Sequence, residues 1–195
     1  MSRKILLVTG VSASGKDYLL ERAKHHEPRL GAEIPIVSMG SAILSELTQL
    51  GGGSVDRDKM KHAVTNDVMR GVVRSIVSGL VTGHPAAVLN GHITYRQQGK
   101  LVSNPDIDTE ISPAAYVVVV ANPRDIIEWR AADASRRREP ETVDDIAYHQ
   151  DFTVQTAERT ALLLGAQCQI IENNLLNTDT SSLALATMVT DICPR

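Results

Sequence analysis

The sequence predicts an α/β fold of three layers, with a parallel β-sheet between two layers of helices, and three observations lead to this prediction. Short apolar runs alternate with longer stretches of helical character along the chain. The first run, residues 5–8, is followed by a glycine-flanked loop and then by a helical segment. A later run, residues 114–121, contains four consecutive valines, as expected of a strand buried on both faces of a sheet.

The composition is ordinary for a globular protein with one sizeable domain. Of 195 residues, 43% are hydrophobic and only 3% are aromatic, so the core must be built from aliphatic side chains. A net charge of −3 argues against nucleic acid as a partner, although it leaves local basic clusters open. Cys168 and Cys193 have no metal-ligand spacing, and no run has transmembrane length or the character of a signal peptide. We therefore expect a cytoplasmic protein with no membrane partner.

The loop Gly10–Lys16 has the composition and the strand–loop–helix context of a phosphate-binding loop (P-loop). Its two glycines permit a close backbone approach that a Cβ would obstruct, so that amide N–H groups can point at phosphate oxygens. The following helix N-terminus favours an anion, and Lys16 can reach the β- and γ-phosphates. The alternative is a glycine-rich turn with an exposed lysine. The residues expected to contact ATP are Gly10, Ser12, Ala13, Ser14, Gly15, Lys16, Asp17 and Tyr18.

The remaining elements follow from hydrophobic periodicity and from residues typical of helix ends. Four more strands are predicted at 34–37, 86–89, 114–121 and 169–172. Helices are predicted from the loop to about residues 25–28 and at about 41–50, 56–80, 123–134, 142–164 and 181–192. Asn122 is expected to cap its helix, with Pro123 at the first helical position. Residues 94–113 contain Gly, Asn, Pro and Asp and are predicted to form a long loop.

Several polar or glycine-containing segments directly follow predicted strands. Besides the loop at residues 10–16, they include Gly40, residues 90–92 and Asn122. The carboxyl ends of parallel strands lie at one edge of a sheet, where open α/β sheets bind their ligands. We therefore expect these segments to lie together at one rim.

The chain also carries an ordered series of short motifs. They are Val8–Gly10 leading into Gly15–Lys16, Met39–Gly40, Asp56–Lys61, His92, Arg96, Ala121–Pro123, Arg130 and Arg136–Arg138. In order and spacing, over roughly residues 3–173, the series resembles the P-loop nucleoside monophosphate kinases. Among them it is most similar to the archaeal type of adenylate kinase.

This resemblance implies a five-stranded parallel sheet of order 2-3-1-4-5 in a single P-loop kinase domain over residues 1–195. It implies an acceptor-binding insertion at about residues 38–82 and a lid at about residues 131–142. It also implies transfer of the ATP γ-phosphoryl group to a nucleoside monophosphate, with ATP and Mg²⁺ as cofactors. Archaeal-type members are often trimers, so a homo-oligomer is left open.

The resemblance further assigns residues to roles. Catalytic roles fall on Lys16, Arg130, Arg136, Arg137 and Arg138, and acceptor-binding roles on Gly40, Arg57, Lys61, His92 and Arg96. Guanidinium groups suit this reaction because phosphoryl transfer depends on positioning and on charge stabilisation. The alternatives are a solvated basic turn for the arginine cluster, helix-surface charge for Arg57 and Lys61, and a structural or general-base role for His92.

Two positions depart from the family pattern. Asp17 stands where the family has Ser or Thr, and Asn90 stands where it has Asp. The site thus keeps one carboxylate but moves it from strand to loop, and we hypothesise that Asp17 belongs to the Mg²⁺ site and Asn90 to its outer shell. The alternative is that Asp17 only favours the first helical turn through the helix dipole.

The acceptor stays open, because no motif matches the base-binding contacts. A Lys-Asp loop also occurs in kinases for other acceptors, such as phosphomevalonate kinases and some phage deoxynucleotide kinases. A modified nucleotide is a further alternative. A nucleotide-dependent switch is disfavoured because the chain has no Asn-Lys-x-Asp base-selecting motif.

Overall fold

The computed structural model describes residues 4–51, 66–103, 105–133, 140–174 and 176–194. The strands are β1 (Lys4–Thr9), β2 (Ile36–Ser38), β3 (Ala86–Asn90), β4 (Thr94–Gln97), β5 (Lys100–Ser103), β6 (Ala115–Val120) and β7 (Gln167–Glu172). The helices are α1 (Lys16–His26), α2 (Met39–Gly51), α3 (Asn66–Gly83), α4 (Pro105–Ile111), α5 (Pro123–Ala132), α6 (Val143–Leu164) and α7 (Thr178–Ile192). None of the helices in these ranges has the length and apolar character needed to cross a membrane.

Five strands form one parallel sheet in the order β2-β3-β1-β6-β7. Counting only the strands of this sheet, the order is 2-3-1-4-5, as the family resemblance implied. The numbering differs because β4 and β5 form a separate antiparallel hairpin. The fold class predicted from the sequence is confirmed.

The sheet separates two apolar layers, because successive side chains of the central strand β1 point to opposite faces. Leu6 and Val8 pack against α1 and α7 on one face. Ile5 and Leu7 pack with side chains of α2, α3 and α6 on the other face. A third cluster, which includes Val11 and Ile126, joins the loop after β1 to α5 and α6. This third cluster holds the loop against α5 and α6.

Register places the carboxyl ends of four strands together. Val8 of β1 pairs with Asn90 at the end of β3, and Thr9 pairs with Val118 of β6. Ser38, at the end of β2, also pairs with Asn90. The segments that follow β1, β2, β3 and β6 therefore lie at one rim, as predicted.

Helices α5 and α6 begin near this rim with side-chain caps. Asn122 Oδ1 accepts a hydrogen bond from the backbone N–H of Arg124 at 3.0 Å, with Pro123 starting α5. Thr142 and Asp145 form a reciprocal capping box at the start of α6, and Gly165 ends that helix with φ 67°. These caps orient α5 and α6 over the loop that follows β1.

The prediction of a loop over residues 94–113 is wrong for most of that segment, which forms β4, β5 and α4. The hairpin turn lies at Gln98 and Gly99, whose φ values are 52° and 76°. Two-residue hairpin turns of this type usually have Asn or Asp at the first position, so glutamine hid the signal. Other differences are smaller: β2 begins at Ile36, β7 at Gln167 and α7 at Thr178.

Candidate nucleotide site

The loop between β1 and α1 adopts a conformation that requires both of its glycines. Gly10 has φ 146°, and a Cβ there would lie 2.3 Å from the carbonyl oxygen of Val119. Gly15 has φ 83°, and a Cβ there would lie 2.0 Å from Nδ2 of Asn173. Because glycine has no Cβ, the chain can pass close to the ends of β6 and β7 before it enters α1.

Lys16 folds back over this loop instead of extending into solvent. Its Nζ donates hydrogen bonds to the carbonyl oxygens of Gly10 at 3.1 Å and Val11 at 2.9 Å. The residue is only 6% exposed. An ammonium group is therefore held against the loop, and the exposed-lysine alternative does not describe this chain.

Arg130, in the last turn of α5, approaches the same loop. Its Nε and Nη2 donate to the carbonyl oxygen of Ser12 at 3.2 and 3.1 Å. Its Nη1 donates to Oε2 of Glu141. Lys16 and Arg130 therefore place two positive charges on one short loop, although 114 positions separate them in sequence.

Asp17 and Asn90 are in direct contact, as their strand-end and loop positions suggest. Asn90 Nδ2 donates to Asp17 Oδ1 at 2.5 Å. The bond leaves the second carboxylate oxygen of Asp17 and the amide oxygen of Asn90 as hard oxygen donors, the type that Mg²⁺ prefers. The donor set fits this cation, and the roles of the two residues toward it remain predictions.

Two predicted acceptor-binding residues lie at the rim. Nδ1 of His92 contacts the carbonyl oxygen of Gly10 at 2.7 Å, which makes Nδ1–H the donor in that bond. His92 therefore supports the loop from the β3 side. Gly40 lies in the first turn of α2, directly after β2.

Arg96 donates hydrogen bonds to three protein residues. Its Nε donates to Oε1 of Glu141 at 2.9 Å, and its Nη2 to Oδ1 of Asp145 at 3.3 Å. Its Nη1 donates to the carbonyl oxygen of Gly99 at 3.4 Å. The pKa of Asp145 is lowered by hydrogen bonds from Thr142 and by the charge of Arg96. Three nitrogens of Arg96 thus contact protein acceptors.

Other predicted residues have different surroundings. The Tyr18 side chain is 48% exposed, and the Arg22 guanidinium lies 6.0 Å from its ring centre. Ser14 is buried. Ala13 has a φ of 66°, a left-handed conformation that is uncommon for residues other than glycine. The predicted residues outside the described part of the chain are Arg57, Lys61, Arg136, Arg137 and Arg138.

Sequence reasoning missed three residues that hold the site together. Glu141 contacts Arg96 and Arg130. Asn173 Nδ2 donates to the carbonyl oxygen of Ser14 at 3.0 Å. The Gln150 side chain exchanges two hydrogen bonds with the backbone of Ala121, at 2.8 and 2.9 Å. Only Asn173 carried a signal, because it directly follows a predicted strand at the ligand-binding rim.

His149 is a buried neighbour of this network. Its Nε2 lies 3.2 Å from Oγ1 of Thr94, which in turn lies 2.6 Å from Oγ1 of Thr153. Burial lowers the pKa of His149; the negative charge of Glu141 opposes this effect, and the positive charges of Arg96 and Arg130 add to it. A neutral imidazole therefore packs beside the two arginines at neutral pH.

The glycine-flanked loop follows the central strand of a 2-3-1-4-5 sheet, and basic side chains contact it. This arrangement is typical of the class of P-loop nucleotide-binding kinases. Comparison with known proteins leads to the family. Residues 9–147 match the family model described as an AAA domain. Because the match covers more than half of the chain, the protein belongs to that family.

Similar proteins agree with this assignment. The chain is 27% identical over 177 residues to an adenylate kinase from Methanoculleus marisnigri, covering 89% of this chain and 91% of the relative. It is 27% identical over 176 residues to an adenylate kinase from Methanococcus aeolicus, with the same coverage. A shikimate kinase from Acinetobacter baumannii in complex with shikimate superposes with a TM-score of 0.57 at 9% identity, covering 100% of this chain and 97% of that one. The last likeness is one of fold alone, whereas the first two bear out the resemblance to archaeal adenylate kinases.

Proposed function

We propose that this protein transfers the γ-phosphoryl group of ATP to a nucleoside monophosphate. The observation that carries the proposal is the approach of Lys16 and Arg130 to one glycine-flanked loop at the carboxyl end of β1. Similarity to archaeal adenylate kinases over 89% of the chain supports a nucleotide acceptor.

On the donor side, the loop amides and the N-terminus of α1 bind the phosphates. Lys16 and Arg130 now donate to loop carbonyls, and phosphate oxygens are stronger acceptors because they are charged. On ATP binding, both side chains exchange carbonyl contacts for phosphate contacts. Their charge then stabilises the transferred group, where negative charge is spread over several oxygens.

Asp17 and Asn90 are the residues that would hold Mg²⁺ near the phosphates. The ion, when bound, neutralises phosphate charge and helps to fix the orientation of the phosphate chain. Asn90 donates to Asp17 Oδ1 and thereby fixes the orientation of that carboxylate. Residues that orient a metal ligand influence affinity as well as geometry, so Asn90 acts on the site without needing to ligate the ion.

On the acceptor side, the nucleoside monophosphate would lie at the rim beside β2 and β3. Gly40 and His92 lie at the ends of these strands, and His92 also supports the loop through Gly10. Arg57 and Lys61 would contribute positive charge for the acceptor phosphate, and Arg136–Arg138 would cover the triphosphate.

A second candidate function is phosphorylation of a related acceptor, such as a deoxynucleotide, a modified nucleotide or a non-nucleotide phosphate. The observation that favours it is Asp17, which gives the loop the Lys-Asp ending seen in kinases for such acceptors. The hydrogen bond from Asn90 fixes this carboxylate at the end of β3, which supports a role for it in the site.

An acceptor screen tests both candidates. Purified protein is supplied with Mg²⁺-ATP and, separately, with AMP, CMP, UMP, the deoxynucleoside monophosphates and phosphomevalonate, and ADP release is measured. We expect at least one nucleoside monophosphate to raise ADP release well above the rate without acceptor. If no acceptor raises it above the rate of the Lys16→Ala variant, the proposed function is wrong.

A further inference from the structure

Glu141 joins two arginines that come from different parts of the fold. Its Oε1 accepts from Nε of Arg96 on the hairpin strand β4, at 2.9 Å. Its Oε2 accepts from Nη1 of Arg130 on α5. One carboxylate therefore spans the distance between the hairpin and the helix that approaches the P-loop.

The bridge divides the donors of Arg130 between two directions. Nη1 points to Glu141, whereas Nε and Nη2 point to the carbonyl oxygen of Ser12 in the P-loop. The guanidinium is planar and rigid, so fixing one donor restricts where the Nε–Nη2 edge can point. Glu141 thus holds the Nε–Nη2 edge of Arg130 toward the loop.

Arg96 fixes Glu141 in turn. Its Nε donates to Oε1 of Glu141, while its other nitrogens contact Asp145 and the carbonyl oxygen of Gly99. Asp145 is held by the capping box at the start of α6. The bridge is therefore anchored to two rigid elements, the hairpin and α6.

Burial distinguishes this bridge from a surface ion pair. The side chains of Arg130, Glu141 and Arg96 are 11%, 16% and 26% exposed. Exposed pairs contribute little, but charge-assisted hydrogen bonds that are shielded from water are stronger and hold one geometry. Removing the central carboxylate would take from both guanidinium groups the charged acceptor that they share.

We propose that Glu141 and Arg96 are positioning residues for Arg130, which they hold with its Nε–Nη2 edge toward the phosphates. This inference rests on the proposed function, in which Arg130 acts on the transferred phosphoryl group. In this role Arg96 acts through Glu141 and not by direct contact with the acceptor.

The test is a set of double-mutant cycles with Arg130. Glu141→Gln keeps the shape of the side chain and removes its charge, and Arg96→Met keeps an apolar stem. In the wild-type background each should lower kcat about ten- to a hundredfold, the range expected for a mispositioned catalytic group. Each should change the KM for ATP less than fivefold. In an Arg130→Ala background neither should lower kcat further.

Two control variants test whether the effect is specific to the charge and the reach of Glu141. Asp144→Asn removes an exposed carboxylate from the same helix start, and kcat should change less than twofold. Glu141→Asp keeps the charge but shortens the reach, and kcat should fall between wild type and Glu141→Gln. If Glu141→Gln and Arg96→Met lower kcat equally with and without Arg130, the positioning role is refuted. If Arg96→Met raises the KM of the acceptor in both backgrounds, Arg96 contacts the acceptor directly and its assignment here is wrong.

Binding of ATP separates failure of this inference from failure of the proposed function. Trp129 is the single tryptophan of the chain, precedes Arg130 and packs against the cluster that contains Val11. Its fluorescence can follow titration with Mg²⁺-ATP in the absence of any acceptor. Glu141→Gln and Arg96→Met should weaken ATP binding two- to fivefold when Arg130 is present and not in Arg130→Ala. An equal effect in both backgrounds overturns the inference, whatever the acceptor screen shows.

Discussion

Asn90 at the end of β3 donates a hydrogen bond to the carboxylate of Asp17 in the first turn of α1, although 73 positions separate them. The contact joins the two places where this chain departs from the family pattern. A carboxylate beside bound phosphates would be repulsive without a cation between them. In this pair the first turn of α1, and not the strand, supplies the negative charge.

The first prediction concerns Mg²⁺. Asp17→Ser should weaken the binding of Mg²⁺ to the protein in the presence of ADP, because the site loses its charged oxygen ligand. Adding Asn90→Asp should recover part of the affinity, since a carboxylate then returns at the neighbouring strand. Calorimetric titration of Mg²⁺ in the presence of ADP measures this without turnover. Strictly additive effects of the two changes would show that the positions do not share a metal.

The second prediction concerns Lys16. Lys16→Ala should lower kcat by at least a hundredfold, because the ammonium that reaches the β- and γ-phosphates is lost. Circular dichroism and the melting temperature check that the variant is folded, and steady-state ADP release measures turnover. A folded variant with near-normal turnover would remove Lys16 from the chemistry.

The third prediction concerns the arginine cluster, which lies outside the described residues. Simultaneous replacement of Arg136, Arg137 and Arg138 by glutamine should lower kcat far more than it raises the KM for ATP. Charge that acts during transfer contributes mainly in the transition state. Steady-state kinetics at saturating acceptor separate the two constants. An unchanged kcat would mean that the cluster is a solvated basic turn.

The fourth prediction concerns stability and pH. Asp108 on α4 is 2% exposed, its Oδ2 has no hydrogen-bond partner among the described residues, and burial raises its pKa to about 7. The folded protein therefore binds this proton more tightly than the unfolded chain, whose carboxyl has a pKa near 3.8. Its favourable contribution is complete below about pH 4 and is lost as pH rises to about 7.

Asp108→Asn should consequently stabilise the protein by on the order of 2 kcal/mol at pH 8, and by less at pH 5. Urea unfolding at the two pH values measures the difference, with the exposed Asp144→Asn as a control that should show no such pH dependence. The same gain at pH 5 and pH 8 would show that the Asp108 carboxyl does not titrate in this range.

Local sequence was sufficient to predict features that depend on near neighbours. The loop between Gly10 and Lys16, the Asn122 cap and the end of α6 near residue 164 were all expected and are present. The cap and the helix end depend on hydrogen bonds within a few residues, and the loop depends on backbone torsions that glycine permits, which the sequence displays directly. The hairpin at Gln98 escaped prediction because glutamine is a rare choice where φ is positive.

The sequence by itself determined the alternation of strands and helices, the position of the P-loop and the side chains available to it. Only the tertiary structure decided which distant groups meet there. Glu141 reaches Arg96 across 45 positions, and Asn173 reaches Ser14 across 159. Such contacts depend on strand order, register and the crossing of α5 and α6 over the sheet. No local pattern encodes them, because the residues become neighbours only when the whole sheet has formed.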